Sequence, residues 1–174
     1  QTPLAERARY LTNQAKDDPL EYLHNEVGYN YRLSSLQAAL GLAQLEQLER
    51  WITKKRAIAL AYTEAFRGIE GLTVMPTPPH TQATYWLYTV LLPERTGLAA
   101  RKRVIAGLKR RGIGARPLWH HLHELPVFRG CRAYAIEHSP ALYRRAVSLP
   151  SGPTLSKAEV ARVAGALLEL ACVG

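Results

Sequence analysis

Residues 28–49, GYNYRLSSLQAALGLAQLEQLE, pass from a turn directly into a helix. Gly28 and Asn30 are residue types that tolerate the backbone angles of a tight turn. Ser34 followed three residues later by Gln37 has the form of a capping box, in which each side chain satisfies the other residue's unpaired backbone N–H. Leu42, Leu45, Leu48 and Ile52 then recur at helical gaps and mark one apolar stripe. Ala38, Ala39, Gly41 and Ala43 beside them are small enough to admit another backbone. Continued through Lys54, Ala57, Ile58 and Ala61 to Phe66, with Gly68 as the stop, the pattern predicts one helix within 33–68. At 1.5 Å per residue it spans about 50 Å, more than the width of a small domain, so it crosses between domains or packs on a partner.

The turn before this helix carries chemistry. It sets Asn30, Tyr31 and Arg32 beside a helix N-terminus, where free N–H groups and the helix dipole favour an anion. An amide, a phenol and a guanidinium together suit a phosphate. Read by itself, the same stretch is more simply a polar capping turn with an arginine in it.

Upstream, Leu4, Ala8 and Leu11 predict a short helix, and Asp17-Asp18-Pro19 a turn. Downstream the chain reads as sheet. Leu72-Thr73-Val74 is a short strand, and Thr84–Leu92 (TYWLYTVLL) a longer one, aromatic and β-branched, ended by Pro93. Residues 101–111 predict a basic helix with Val104, Ile105 and Leu108 inward. Ile113–Pro117 is a third strand, 119–130 a loop with a short helix, and 141–146 another short helix. Ser156 with Glu159 forms a second capping box, with Leu155 and Val160 placed as its hydrophobic staple. The reading is α+β: a small antiparallel sheet with flanking helices on one side, plus a long N-terminal helix.

Composition bounds the function. With 174 residues, 47% hydrophobic and 21% charged, the chain has the composition of a folded domain. Cys131 and Cys172 form neither a zinc nor a redox spacing. No apolar run is long enough to span a membrane and no signal peptide opens the chain, so a reducing, cytoplasmic setting is expected. The net charge of +9 and the cluster Arg101, Lys102, Arg103, Lys109, Arg110, Arg111 raise nucleic-acid binding. They read more simply as a solvated helix face in a chain that attracts a small acidic ligand. No serine sits in a GxSxG elbow, and no GxGxxG or P-loop is present. His120, His121 and His123 raise a metal site, yet zinc needs three or four converging ligands and no CxxC or HExxH supplies the rest, so no metal is expected.

Gly28–Leu33 followed by Gln37-Ala38-Ala39-Leu40-Gly41 and Gln44-Leu45 resembles the DegT/StrS family of nucleotide-sugar aminotransferases, which depend on pyridoxal 5'-phosphate (PLP). Residues 14–32 resemble the branch acting on UDP-linked 4-keto amino sugars, the UDP-N-acetylbacillosamine transaminases. Arg116-Pro117-Leu118-Trp119 with Leu122-His123, Pro126 and Phe128 resembles that branch's RPxWxPLHxQP segment. Ser148-Leu149-Pro150, Leu155-Ser156 and the final helix resemble the family's C-terminal end. His120, His121 and Glu124-Leu125 depart from the branch pattern.

The resemblance implies the C-terminal small domain of a fold-type I aminotransferase. Residues 1–32 then connect from the large domain and hold the cofactor-phosphate turn, 33–68 form an interdomain or dimer helix, and 69–174 the small domain. It implies transfer of an amino group, from glutamate as usual donor, to a 4-keto nucleotide-sugar. Asn30 would reach the PLP phosphate across a dimer. Tyr31, Arg32, His24, Trp119 and His123 would bind substrate. The family's Schiff-base lysine should be desolvated and neutral. None of Lys16, Lys54, Lys55, Lys102, Lys109 or Lys157 has that setting, so the chain is expected to be inactive alone and to pair as a homodimer or with a missing N-terminal half. A non-catalytic dimerisation module is the alternative, and a basic nucleic-acid-binding domain a weaker one.

Overall fold

The computed structural model describes residues 2–18 and 20–171, so Pro19 of the expected turn and Cys172 lie outside the described residues. The chain divides into two compact units that part between Leu48 and Glu49. In the first unit lie α1 (Thr2–Thr12) and α2 (Ser35–Leu45). In the second, α3 (Leu48–Ala65, starting at the boundary), β1 (Thr73–Val74), β2 (Tyr88–Leu91), α4 (Leu98–Arg110) and β3 (Arg116–Pro117) come in order. Two 3-10 turns (Leu122–Glu124 and Pro126–Phe128), α5 (Ser139–Arg145), β4 (Ala146–Leu149) and α6 (Lys157–Ala171) complete it.

Both capping boxes form. Ser34 Oγ accepts the Gln37 N–H at 3.3 Å while Gln37 Oε1 accepts the Ser34 N–H at 3.0 Å. Ser156 and Glu159 make the same exchange at 3.2 and 2.8 Å. The single helix expected within 33–68 is instead two helices, α2 and α3. The Gln47 N–H bonds to the carbonyl of Gln44, three residues back, at 3.2 Å, so the ladder tightens for one turn and regular α geometry is interrupted at Glu46-Gln47.

The four strands form one antiparallel sheet in the order β1-β2-β4-β3. Register pairs Tyr88 with Leu149 and Val90 with Val147 on one face, and Thr89 with Ser148 and Leu91 with Ala146 on the other. The first face meets Ile58, Tyr62 and Phe66 of α3, Val104 and Leu108 of α4, and Val160, Val163 and Leu167 of α6 in a single core. Tyr62 stacks on Tyr88 at 5.0 Å and its hydroxyl donates to the Pro150 carbonyl at 2.9 Å, which satisfies the one polar atom it brings inside. On the second face the hydroxyls of Thr89 and Ser148 lie 3.0 Å apart, both buried.

Two expectations are corrected here. Thr84–Leu92 is extended strand only from Tyr88, because the residues before it bond to no neighbouring strand. Arg101, read as part of a solvated basic face, is 2% exposed. Its guanidinium lies 4.5 Å from the centre of the Tyr143 ring and donates to the Tyr143 carbonyl, so it fastens α4 to α5. Among the described residues, no helix is long and apolar enough to cross a membrane.

Candidate functional site

In the first unit the chain reverses after α1 through Gln14 and Ala15, at φ 72° and 48°. The returning segment is laced to the end of α1. Tyr29 N–H donates to Leu11 O at 2.7 Å, Gln14 N–H to Tyr29 O at 3.0 Å, and Tyr31 N–H to Thr12 O at 3.0 Å. Gly28 permits this approach, because a Cβ there would stand 2.3 Å from the backbone of Gln14 and Ala15. Around the lacing, Asp17 accepts the Tyr10 hydroxyl at 2.9 Å and the Asn25 N–H at 2.8 Å, and Arg7 pairs with Glu26. That pairing holds the Glu26 carboxyl below its ordinary range.

This frame presents the expected residues. Asn30 Oδ1 accepts from Arg32 Nε at 3.2 Å and from the Arg32 backbone N–H at 3.3 Å. Arg32 Nη2 donates to Gln14 Oε1 at 3.0 Å. With Oδ1 committed, the Nδ2 end of Asn30 keeps two donors. His24 donates from Nδ1 to the Gln14 carbonyl at 2.8 Å, and Tyr31 stacks on Tyr29 at 5.6 Å. So Gln14, which the sequence does not single out as a site residue, is the hub that joins Arg32 to His24. Arg9, Lys16 and Arg32, with Glu6 the lone carboxylate, line a cavity of about 380 Å³ whose charge favours an anion.

In the second unit Trp119 stacks on the exposed Trp86 at 5.6 Å, whereas His123 stacks on His121 at 5.3 Å. The two residues expected to act together therefore sit in different local clusters. Beside Trp86 lies a cavity of about 350 Å³ whose lining includes Lys55, Arg116, Ser148 and Gly152. Lys55 donates to the carbonyls of Ser151 at 2.7 Å and Trp86 at 3.3 Å, and burial lowers its pKa. Sequence reasoning placed Lys55 in an ordinary polar helical setting. The signal was available: Lys55 lies three, four and seven residues before the buried Ile58, Ala59 and Tyr62, on their stripe of the helix.

Residues 2–168 match the family model described as the DegT/DnrJ/EryC1/StrS aminotransferase family. The chain is 36% identical over 169 residues to a protein of Bacillus subtilis named putative pyridoxal phosphate-dependent aminotransferase EpsN, covering 95% of this chain and 43% of that protein. It is 32% identical to the GDP-perosamine synthase of Caulobacter vibrioides, covering 94% and 44% of the two chains. Its fold superposes on Helicobacter pylori PseC, an aminotransferase involved in the biosynthesis of pseudoaminic acid, with a TM-score of 0.88 over 100% of this chain and 47% of that one, at 22% identity. The chain thus spans less than half the length of the relatives it matches.

Proposed function

We propose, since the chain belongs to the DegT/DnrJ/EryC1/StrS aminotransferase family, that it supplies the C-terminal part of a PLP-dependent enzyme that moves an amino group from glutamate to a 4-keto nucleotide-sugar. PLP is the family's cofactor, and when bound it supplies the electron sink for the transfer. The residues present fit its phosphate and not its covalent attachment. Asn30 offers two N–H donors on an exposed turn, backed by an arginine, which is what a phosphate oxygen accepts from. Lys55, whose ammonium is penalised by burial, donates to two carbonyls. Its Nζ is thus held on those two carbonyls rather than presented to a cofactor, so we assign the attachment to polypeptide outside these residues.

In this reading the chain's residues position and bind. Arg32 fixes the Asn30 amide, so the donors meet the phosphate without first paying to order the side chain. Tyr31, Arg32 and His24 of the first unit contact the nucleotide-sugar in this reading, and Trp119 of the second unit is assigned a substrate contact of its own. The Trp119–Trp86 pair gives the substrate a flat apolar surface. A partner surface, a second copy or the remainder of the protein, covers α2. Its leucines support this: Leu36 is 82% exposed, Leu40 63% and Leu45 65%, and an 11-residue helix with such a face is not stable bare.

The observation that carries the reading is the fixed Asn30 amide. In the whole protein, Asn30→Ala should weaken PLP retention, measured by equilibrium dialysis, by roughly tenfold or more, as expected for losing a hydrogen bond to a charged group. Retention equal to that of the unaltered protein would remove the assignment.

A further inference from the structure

Within residues 120–124, Leu122-His123 follow the branch pattern while His120, His121 and Glu124 depart from it, and the geometry of the segment has a use of its own. The 3-10 turn Leu122–Glu124 is closed by the Glu124 N–H donating to the His121 carbonyl at 3.1 Å. With three residues per turn, positions three apart eclipse, so His121 and Glu124 come to the same side. The His123 ring lies nearly parallel to that of His121, 17° between planes. The Glu124 carboxylate then sits 3.4 Å from His121 Nδ1, 3.7 Å from His120 Nδ1 and 3.9 Å from His123 Nε2. One donor atom from each of His121, His123 and Glu124 lies within 4.8 Å of the other two.

His121 is the telling member. Its side chain is 11% exposed and its ring centre is 4.8 Å from that of Tyr143. Both ring nitrogens are buried, and neither has a hydrogen-bond partner among the described residues. A buried polar group left unpaired is costly, so such an arrangement needs something that pairs with a ring nitrogen and also draws in a carboxylate. We propose that His121, His123 and Glu124 bind a divalent transition-metal ion of the zinc class, with the fourth position open to solvent.

The donor set selects the ion. Two imidazoles and one carboxylate suit zinc and its neighbours, whereas magnesium and calcium take oxygen ligands. Zinc–ligand bonds of about 2.0–2.2 Å place tetrahedral ligands roughly 3.3 Å apart, so the widest of these separations must close by about 1.5 Å. Glu124 is exposed and His123 is partly so, which lets rotamer changes supply that movement while the buried His121 stays fixed. Three ligands and an open position make a site able to polarise an oxygen of a bound small molecule rather than one that only braces the fold. This goes beyond the aminotransferase reading and does not rest on it. It does reassign His123, which becomes a metal ligand rather than a direct substrate contact.

The test uses the untagged protein without PLP, titrated with zinc against a chromophoric chelator and separately with cobalt. One equivalent should bind, and cobalt should give the strong visible absorption of four-coordinate geometry. Glu124→Gln and His123→Gln alter accessible side chains and should keep the circular dichroism spectrum. Each should weaken binding by more than the roughly 10–100-fold that losing an outer-shell partner costs. His138→Gln, at an exposed histidine whose nearest carboxylate is Glu137, should leave affinity unchanged. If no stoichiometric binding occurs, or if Glu124→Gln and His123→Gln bind zinc as the unaltered protein does, the proposal is overturned and the cluster is an ordinary histidine–carboxylate ion pair.

Discussion

Before Glu49, Ala15 is the one buried apolar residue among those described, and every residue of α2 is exposed. After it, a continuous core runs from Ile58 on α3 to Leu167 on α6. The first unit is held by backbone lacing, by Asp17 gathering Tyr10 and Asn25, and by the Arg7–Glu26 pair. Polar bonds of this kind contribute on the order of 1 kcal/mol each, and exposed ion pairs less. The second unit draws on burial, where a single leucine is worth several times that. The residues proposed to bind, Asn30, Tyr31, Arg32 and His24, thus belong to the part with the least core, where binding segments commonly lie.

Substitutions in the two units test that contrast. The largest effect should come from Leu108→Ala, which empties a fully buried position and should cost about 2–5 kcal/mol in urea unfolding. In this chain as a monomer, with α2 uncovered, Leu40→Ala should stay within about 0.5 kcal/mol, and a loss comparable to that of Leu108→Ala would break the comparison. Next, Gly28→Ala forces a methyl into the Gln14–Ala15 backbone, with an overpacking cost of about 1–3 kcal/mol. Hydrogen exchange should quicken at Gln14, Tyr29 and Tyr31 and stay unchanged at Val90 and Val147. Below both the core and the turn substitutions, Ser156→Ala removes the α6 cap and should cost about 1 kcal/mol. The same cap makes a pH signature. The Ser156 N–H holds the Glu159 carboxyl below its usual range. Its stabilisation is therefore complete above the ordinary glutamate pKa and is lost as pH falls through the depressed one. Glu159→Gln should flatten that part of the stability-against-pH curve, and an unchanged curve would remove the carboxylate from the cap.

Local patterns were readable in the sequence. Both capping boxes, α1, α4 and the turn at Asn30 follow from spacings of a few residues. What escaped depends on distant partners. β4 is Ala-Val-Ser-Leu, four residues directly behind a helix, without β-branched richness, and it is a strand because Tyr88–Leu91 lies beside it. The parting of α2 from α3 carries no proline or glycine to announce it. The convergence of His121, His123 and Glu124 is not legible in the sequence, because 119–130 reads as a loop with a short helix and the meeting of these side chains depends on the 3-10 turn at Leu122–Glu124. Membership of the family was legible from GYNYRL and QAALG, and the match over residues 2–168 agrees with it.

β4 lies at the interior of the sheet yet comes late in the chain, after every other strand. Until residues 146–149 exist, β3 has no neighbour and β2 has only the two-residue β1. During synthesis, then, the earlier strands wait with open edges, and the sheet closes only once residues 146–149 have left the ribosome.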